Sequence, residues 1–345
     1  MKRPDRFTLT EYLIFVAVTV AVMVLCVCIG SVNIPAGDVL TAVKCGITST
    51  PIPEDVTLGS IILSIRIPRV LCVALTGAAL SVSGAAMQGL LRNPLADGST
   101  LGVSAGASLG AVITIAFGGT IPFISSVGTM FMAMLFAFLS LVLILSLSYK
   151  LDCSLSTNTI ILVGVIFSMF VSSILSLITT FAYDRVRNIT FWTMGSLAGS
   201  TYREVLILLA TLVVFGLILI SKARELNAFA IGEDNARNIG VNIRAVKLVV
   251  LVSVSVIIGV CVSIGGTIGF VGLVCPHMVR MIVGPNHKRL LPACVFGGAV
   301  FLMLADLVAR VILAPLELPI GVVTSFIGAI LFVWIFYTSR RKGNA

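Results

Sequence analysis

Long apolar runs recur along this chain, and they constrain the fold more than any other sequence feature. The clearest runs are Tyr12–Ile29, Val127–Ser148, Val205–Ile220 and Leu248–Ile264. A bilayer core about 30 Å thick needs roughly 20 apolar residues per helix, and backbone amides in lipid must bond within their own segment. Only 11% of the residues are charged and 58% are hydrophobic, a balance that soluble domains do not have. The sequence therefore predicts an all-α integral membrane protein.

The apolar runs predict about ten transmembrane helices within a single transmembrane domain that covers residues 1–345. The predicted spans are 12–32, 58–91, 99–117, 121–149, 158–182, 203–221, 243–264, 268–283, 290–313 and 319–338. The first run is too long for the core of a signal peptide, so we interpret it as a retained span. Small residues recur at helical spacing on the second and third spans and predict close helix packing there, at Gly77, Gly84, Gly102, Gly106 and Gly110.

The basic residues set the predicted orientation. Of the 23 lysines and arginines, sixteen fall in connections on the side of the termini. Positive charge is enriched in cytoplasmic loops, so we predict cytoplasmic termini and a multi-pass protein of the cytoplasmic (inner) membrane. The net charge of +9 is dispersed among short loops. We therefore expect the protein to interact with membrane lipid and not with nucleic acid.

Residues that carry catalytic or redox chemistry are scarce. The sequence has no GxxxxGK[ST] phosphate-binding loop, so we predict that the chain is not an ATP-hydrolysing enzyme. Its eight cysteines form no CxxC pair, and His277 and His287 lack a carboxylate cluster, so we predict no metal site and no cofactor in this chain.

The span centres are almost free of ionisable residues. Asp306 and Glu317 come closest, but both lie near the outer end of the ninth predicted span, and Asp306 has the helical spacing of an ion pair with Arg310. Ion-coupled transporters often keep a charged residue at mid-membrane. We therefore expect the energy for any transport to enter from elsewhere.

The stretch Lys222–Lys247, between the sixth and seventh predicted spans, is the most polar in the chain. It is predicted to contain two short helical turns, Ala228–Ile231 and Asn235–Ile239, separated by Gly232 and ended by Gly240. Apolar side chains accompany its charges, at Leu226, Phe229, Ile231, Ile239 and Val241. Exposed apolar groups rimmed by charge indicate a docking surface for another protein. The alternative is an interfacial helix that lies on lipid.

Six stretches, which cover most of the chain from Ile65 onward, match one protein family in the family's order. They are IRIPRVLCVALTGAALSVSGAAMQGLLRNPLADGSTLGVSAGASLGA (Ile65–Ala111), LSTNTIILVGV (Leu155–Val165), FWTMGSLAGS (Phe191–Ser200), FAIGEDNARNIGVN (Phe229–Asn242), GTIGFVGLVCPHMVR (Gly266–Arg280) and ADLVARVILAPLELPIGVVTSFIGAILFVWIF (Ala305–Phe336). Together they resemble the FecCD/vitamin B12-type permease family of type II ABC importers. The N-terminal span and the loop Asn33–Ser60 match in character more than in sequence.

The resemblance implies a fold, partners and a cargo. The fold would be that of a type II ABC importer permease, in which helices two to five and seven to ten form an inverted repeat. A second permease copy, expected as a homodimer, two ATPase subunits that bind ATP and Mg, and an extracytoplasmic substrate-binding protein would complete the importer. The implied cargo is an iron-siderophore, haem or cobalamin-type metal chelate. An ion-coupled secondary transporter and a non-transporting membrane scaffold are the alternatives.

The resemblance also implies roles for individual residues. Residues 226–242 would form a coupling segment against the ATPase, with coupling positions at Phe229, Ile231, Gly232, Asn235, Ala236 and Gly240. The residues that would dock the binding protein are Arg66, Arg69 and Arg310, with snorkelling to lipid headgroups as the alternative.

Two further pairs of residues have implied roles along the transport pathway. Thr157 and Asn158 match small polar residues that narrow the inner exit, although Asn158 departs from the serine that is common there. Trp192 and Pro319 resemble elements of the outer mouth.

Overall fold

The computed structural model of the protein describes residues 7–30, 34–48, 59–118, 128–153 and 156–343. Within these residues the regular structure is helical throughout, as predicted. The helices, numbered along the chain, are α1 Leu9–Cys28, α2 Ala36–Thr48, α3 Ile62–Leu91, α4 Val103–Phe117, α5 Thr129–Leu151, α6 Thr157–Phe181, α7 Val186–Thr193, α8 Tyr202–Ser221, α9 Ala223–Ile231, α10 Glu233–Asn238, α11 Ile243–Gly265, α12 Val271–Val283, α13 His287–Val311 and α14 Ile320–Gly343.

Seven of the described helices are long and apolar enough to cross a membrane, namely α1, α3, α5, α6, α8, α11 and α13. Three shorter apolar helices, α4, α12 and the Ile320–Trp334 part of α14, occupy the remaining predicted spans. Residues 31–32 of the first predicted span, residue 58 of the second and residues 121–127 of the fourth lie outside the described residues. Each predicted span contains a helix, whereas α2 and α7 lie in stretches for which no span was predicted.

Two helices begin later than predicted because the backbone before each is left-handed. α4 begins at Val103, after a short 3-10 turn and Gly102 with a φ of 74°. α12 begins at Val271, after Phe270 with a φ of 66°. A positive φ cannot continue a right-handed helix, so these two residues shorten the third and eighth predicted spans. Because Gly102 lies before the first residue of α4, the predicted small-residue face of this helix consists of Gly106 and Gly110.

Helices α3 and α13 pack antiparallel at the centre of the bundle. Gly77 and Gly298 face each other so closely that a Cβ on Gly77 would lie 2.3 Å from the carbonyl oxygen of Gly298. Toward the end of α3, a Cβ on Gly89 would lie 2.4 Å from the His287 Nε2 atom. The predicted small-residue packing on α3 is confirmed, because only glycine permits this approach.

The helices differ in how much of their surface the protein itself covers. In the most apolar window of α3, 89% of the residues are buried, whereas the corresponding share for α1 is 11%. Helices α5, α6 and α8 also expose many large apolar side chains. Such surface is suited to lipid or to a second membrane protein, and the bundle core lies around α3, α11 and α13.

Candidate functional site

The predicted coupling segment folds as two consecutive helices. α9 ends at Ile231 and α10 begins at Glu233, with Gly232 between them at a φ of 122°. Gly240, with a φ of 88°, follows the end of α10. The prediction of two helical turns separated by Gly232 is confirmed, although α9 begins at Ala223 and is five residues longer than predicted.

The side chains of this segment divide into exposed and buried groups. Ile231 and Ile239 are 69% and 70% exposed, and Asn235, also exposed, donates from Nδ2 to the Ile231 carbonyl at 3.0 Å. An apolar pair of this kind beside charged groups is suited to a protein partner.

Three other apolar residues of the segment do not face outward. Leu226, Phe229 and Ala236 are fully buried. The prediction that Leu226 and Phe229 belong to an exposed apolar surface is wrong, because both side chains pack into the bundle. The coupling roles of Phe229 and Ala236 stay predictions, and burial restricts them to shaping the segment from within.

Polar contacts attach the segment to the transmembrane helices. The Glu233 carboxylate accepts from Lys247 Nζ on α11 at 2.8 Å and from Thr157 Oγ1 on α6 at 3.4 Å. Asn227 on α9 accepts from the backbone amide of His287 at 2.9 Å, at the first residue of α13. Thr157, one of the two predicted gate residues, therefore contacts the predicted coupling segment, whereas Asn158 is exposed beside it.

The three predicted docking arginines lie together at the opposite end of α3. Arg69 donates from Nη2 to Asp306 Oδ1 at 2.9 Å and from Nη1 to Glu317 Oε2 at 2.8 Å. Arg310 Nε lies 2.9 Å from Asp306 Oδ2, so the predicted local pair of Asp306 with Arg310 is confirmed. Arg66 donates to the carbonyl oxygens of Val27 and Cys28 at the end of α1.

This arrangement, which we call the arginine cluster, consists of Arg66, Arg69, Arg310, Asp306 and Glu317. All members except Glu317 are buried, and together they join α1, α3 and α13. Snorkelling to lipid headgroups is wrong for these arginines, because their side chains lie inside the protein. Their docking role stays a prediction, and the guanidinium groups already have partners within the chain.

The segments that carry the predicted outer-mouth residues, Trp192 and Pro319, meet in space. A Cβ on Gly266 would lie 2.2 Å from the carbonyl oxygen of Trp192, and Gly321, two residues after Pro319, approaches the carbonyl oxygen of Met194 equally closely. The end of α7, the connection before α12 and the start of α14 therefore form one tightly packed junction.

A cavity of about 370 Å³ lies between α3, α4, α11 and α12. Its lining includes Thr76, Ser83 and Asp97, together with the non-helical backbone from Gly266 to Phe270. Irregular backbone inside a membrane domain is tolerated where it is buried in protein or faces water. No sequence pattern marks Asp97 as functional, because it lies in a short connection between two helices. Among the described residues, no three His, Cys, Asp or Glu side chains are grouped to hold a metal ion.

Comparison with known proteins gives a family and several relatives. The model of the FecCD transport family matches residues 18–338. The chain is 40% identical over 327 residues to the uncharacterized ABC transporter permease protein YvrB of Bacillus subtilis, covering 90% of this chain and 93% of that protein. It is 35% identical over 283 residues to the hemin transport system permease protein HmuU of Yersinia pestis, covering 81% and 84%.

A solved structure has the same architecture. It is described as an inward-facing conformation of a metal-chelate type ABC transporter, and it matches with a TM-score of 0.81 and 30% sequence identity. The match covers 94% of this chain and 98% of that one, so the fold similarity extends over nearly the whole molecule.

Proposed function

Because this chain belongs to the FecCD transport family and is a permease subunit of an ABC importer, we propose that it carries an iron-siderophore, haem or cobalamin-type metal chelate into the cytoplasm. The observation that carries this proposal is the family match over residues 18–338. The similarity to a hemin permease and to a metal-chelate type transporter supports the choice of cargo. The chain is not an enzyme, and ATP is hydrolysed on separate subunits. The alternative of an ion-coupled secondary transporter has no support from these relatives.

The segment formed by α9 and α10 is proposed as the contact with the ATPase subunits. The segment exposes an apolar pair beside charged groups, and its exposed residues include Ile231, Asn235, Ile239 and Gly240. Gly232 sets the angle between the two helices through its positive φ. Residues other than glycine rarely adopt this backbone conformation. ATP and Mg are proposed to bind to those partner subunits and not to this chain.

An extracytoplasmic substrate-binding protein is proposed to dock at the end of the bundle that holds the arginine cluster. Three arginines and two carboxylates leave this cluster with a net positive charge. Such a field attracts acidic groups and steers encounter more than it adds affinity. Because the guanidinium groups already have internal partners, we expect steering by their field to outweigh direct contact.

The remaining features of the assembly follow from the same proposal. Two copies of the chain would pair as a homodimer around the transport pathway, and the exposed apolar surfaces of α6 and α14 are available for a second copy or for lipid. The protein would lie in the cytoplasmic membrane with both termini in the cytoplasm, because most lysines and arginines fall on that side of the predicted topology.

Crosslinking tests the proposed coupling contact. A photo-crosslinking amino acid at Asn235 is expected to capture the ATPase subunit in membranes that contain the complete importer. The same group at Leu313, which is exposed just beyond α13 near the arginine cluster, is the matched control and should capture none. Capture at Leu313 and not at Asn235 would reverse the proposed orientation, and capture at neither would refute the contact.

Reconstitution tests the proposed cargo. Proteoliposomes that contain the chain, its ATPase subunit and its binding protein would be offered haemin, cyanocobalamin or a ferric hydroxamate siderophore. We expect ATP-dependent accumulation of one of these three. Accumulation that persists without the ATPase subunit and follows an ion gradient would contradict the proposed function.

A further inference from the structure

We propose that Glu233 is a positioning residue that transmits movement of the coupling segment to α6 and α11. This inference rests on the proposed contact between that segment and the ATPase subunits. Glu233 is the first residue of α10, directly after Gly232. One carboxylate oxygen accepts from Lys247 Nζ at 2.8 Å and the other from Thr157 Oγ1 at 3.4 Å. A single side chain therefore joins α10, α11 and α6.

The environment of Lys247 makes this link strong. The Lys247 side chain is 1% exposed, and that of Glu233 is 30% exposed. Breaking a buried ion pair is costly, because the remaining charge loses a partner in a poorly solvated site. Separation of α10 from α11 would take the Glu233 carboxylate away from this buried ammonium group, so we expect the two helices to move together.

The other charged pairs of the segment do not have this property. Lys222 and Glu225 pair within three residues of each other, and so do Asp234 and Arg237. Both pairs are more exposed than Lys247, and exposed local pairs contribute little. Within the described part of the segment, Glu233 is the acidic residue whose ion pair reaches a transmembrane helix.

The contact with Thr157 falls at the first residue of α6, where the helix start is well fixed. Ser156 caps α6 by accepting from the Thr159 backbone amide at 3.3 Å, and its own amide donates to Asp152 at 3.1 Å. A movement of α10 that displaces Thr157 would therefore act on a helix end that is fixed by a cap. Because α6 begins with the predicted gate residues, movement of α10 would reach the inner exit.

The test measures distances in the complete importer, with the ATPase subunits bound. Nitroxide amino acids at Asn238 on α10 and at Leu162 on α6 would each be measured against a reference label at Leu13 on α1. In the wild-type chain, trapping with ATP and vanadate is expected to change both distances. In E233M, which keeps the length of the side chain but removes both acceptor oxygens, the α10 distance should still change, whereas the change at α6 should fall roughly twofold or more, within the usual range of residue-level coupling.

Three further variants separate transmission from folding. E233M/K247M removes both charges of the ion pair, and it should lose the α6 response as E233M does. The exchange E233K/K247E should restore part of that response. The control E225Q weakens the pair of Glu225 with Lys222 at the start of α9 and should respond like the wild type.

The outcomes distinguish this inference from the proposed function. If the ATPase subunits bind normally and E233M and E233M/K247M both keep the full α6 response, the role of Glu233 is refuted while the coupling contact stands. If the ATPase subunits do not bind the wild-type chain, the proposed function and this inference both fail.

Discussion

Replacing Asp306 with asparagine tests whether the arginine cluster holds α1, α3 and α13 together. Asp306 is buried and serves two guanidinium groups, with Oδ1 accepting from Arg69 Nη2 at 2.9 Å and Oδ2 lying 2.9 Å from Arg310 Nε. The asparagine keeps the size but removes the negative charge and places an amide donor against one of the two arginines. Removing one partner of a buried ion pair costs about 3–5 kcal/mol.

The assay for Asp306→Asn is thermal melting of the detergent-solubilised protein, followed by size-exclusion chromatography. We expect the melting temperature to fall by at least about 5 °C, from the usual relation between free energy and Tm. Glu317→Gln is the matched control, because Glu317 also pairs with Arg69 but its side chain is 34% exposed. An exposed pair contributes about 1 kcal/mol or less, so its Tm should change little.

The comparison between these two variants decides the outcome. Equal losses of Tm, or no loss for Asp306→Asn, would refute the reasoning that the cluster is a buried structural link. If instead Asp306→Asn leaves Tm unchanged and lowers only the affinity for the substrate-binding protein, the arginines act as docking groups alone.

Two further comparisons use the same melting assay. Phe229→Ala should lower the free energy of unfolding by about 3–5 kcal/mol, because the ring is fully buried. Ile231→Ala, at an exposed position, should change it by less than about 0.5 kcal/mol. The Ile231 variant should nevertheless capture less of the ATPase subunit in a pull-down. The reverse pattern would contradict the assigned faces of α9. Gly84→Val should abolish the folded peak, because a Cβ there would lie 1.8 Å from a backbone oxygen of α12, and Gly37→Ala, with nothing within 4 Å of its Cβ, should leave the peak intact.

Some of this structure could be predicted from the sequence because it depends on local patterns. Apolar runs locate the spans, and Gly232 marks the break between α9 and α10, since both signals lie in consecutive residues. The start of α12 was missed because the left-handed residue before it is Phe270, which has no sequence signature for a positive φ. Sequence spacing did identify the pair of Asp306 with Arg310, which lie one helical turn apart.

Contacts between distant segments could not be predicted in the same way. Arg69 reaches Asp306 across 237 residues of sequence, and Glu233 reaches Lys247 from a different helix. Their partners depend on how α3 packs on α13 and how the coupling segment folds back on α11. The family resemblance implied that the arginines dock the binding protein at the surface, whereas the packing of three helices around them places their side chains in the interior.

The position of the polar links along the bundle constrains how one end can affect the other. Arg69 contacts Asp306 at one end of the α3–α13 pair, and Gly89 meets His287 at the other, with Gly77 against Gly298 between them. Sliding of α3 along α13 would break the ion pair of Arg69 with Asp306. It would also move Gly77 away from Gly298 and against larger residues. We therefore expect α3 and α13 to move as one body. A push on the coupling segment would reach α6 and α11 through Glu233, and it would reach α13 through Asn227, which accepts from the His287 backbone amide. We expect the transport pathway to open by rotation of whole helices, and among the described residues no ion pair crosses the middle of the bundle to oppose it.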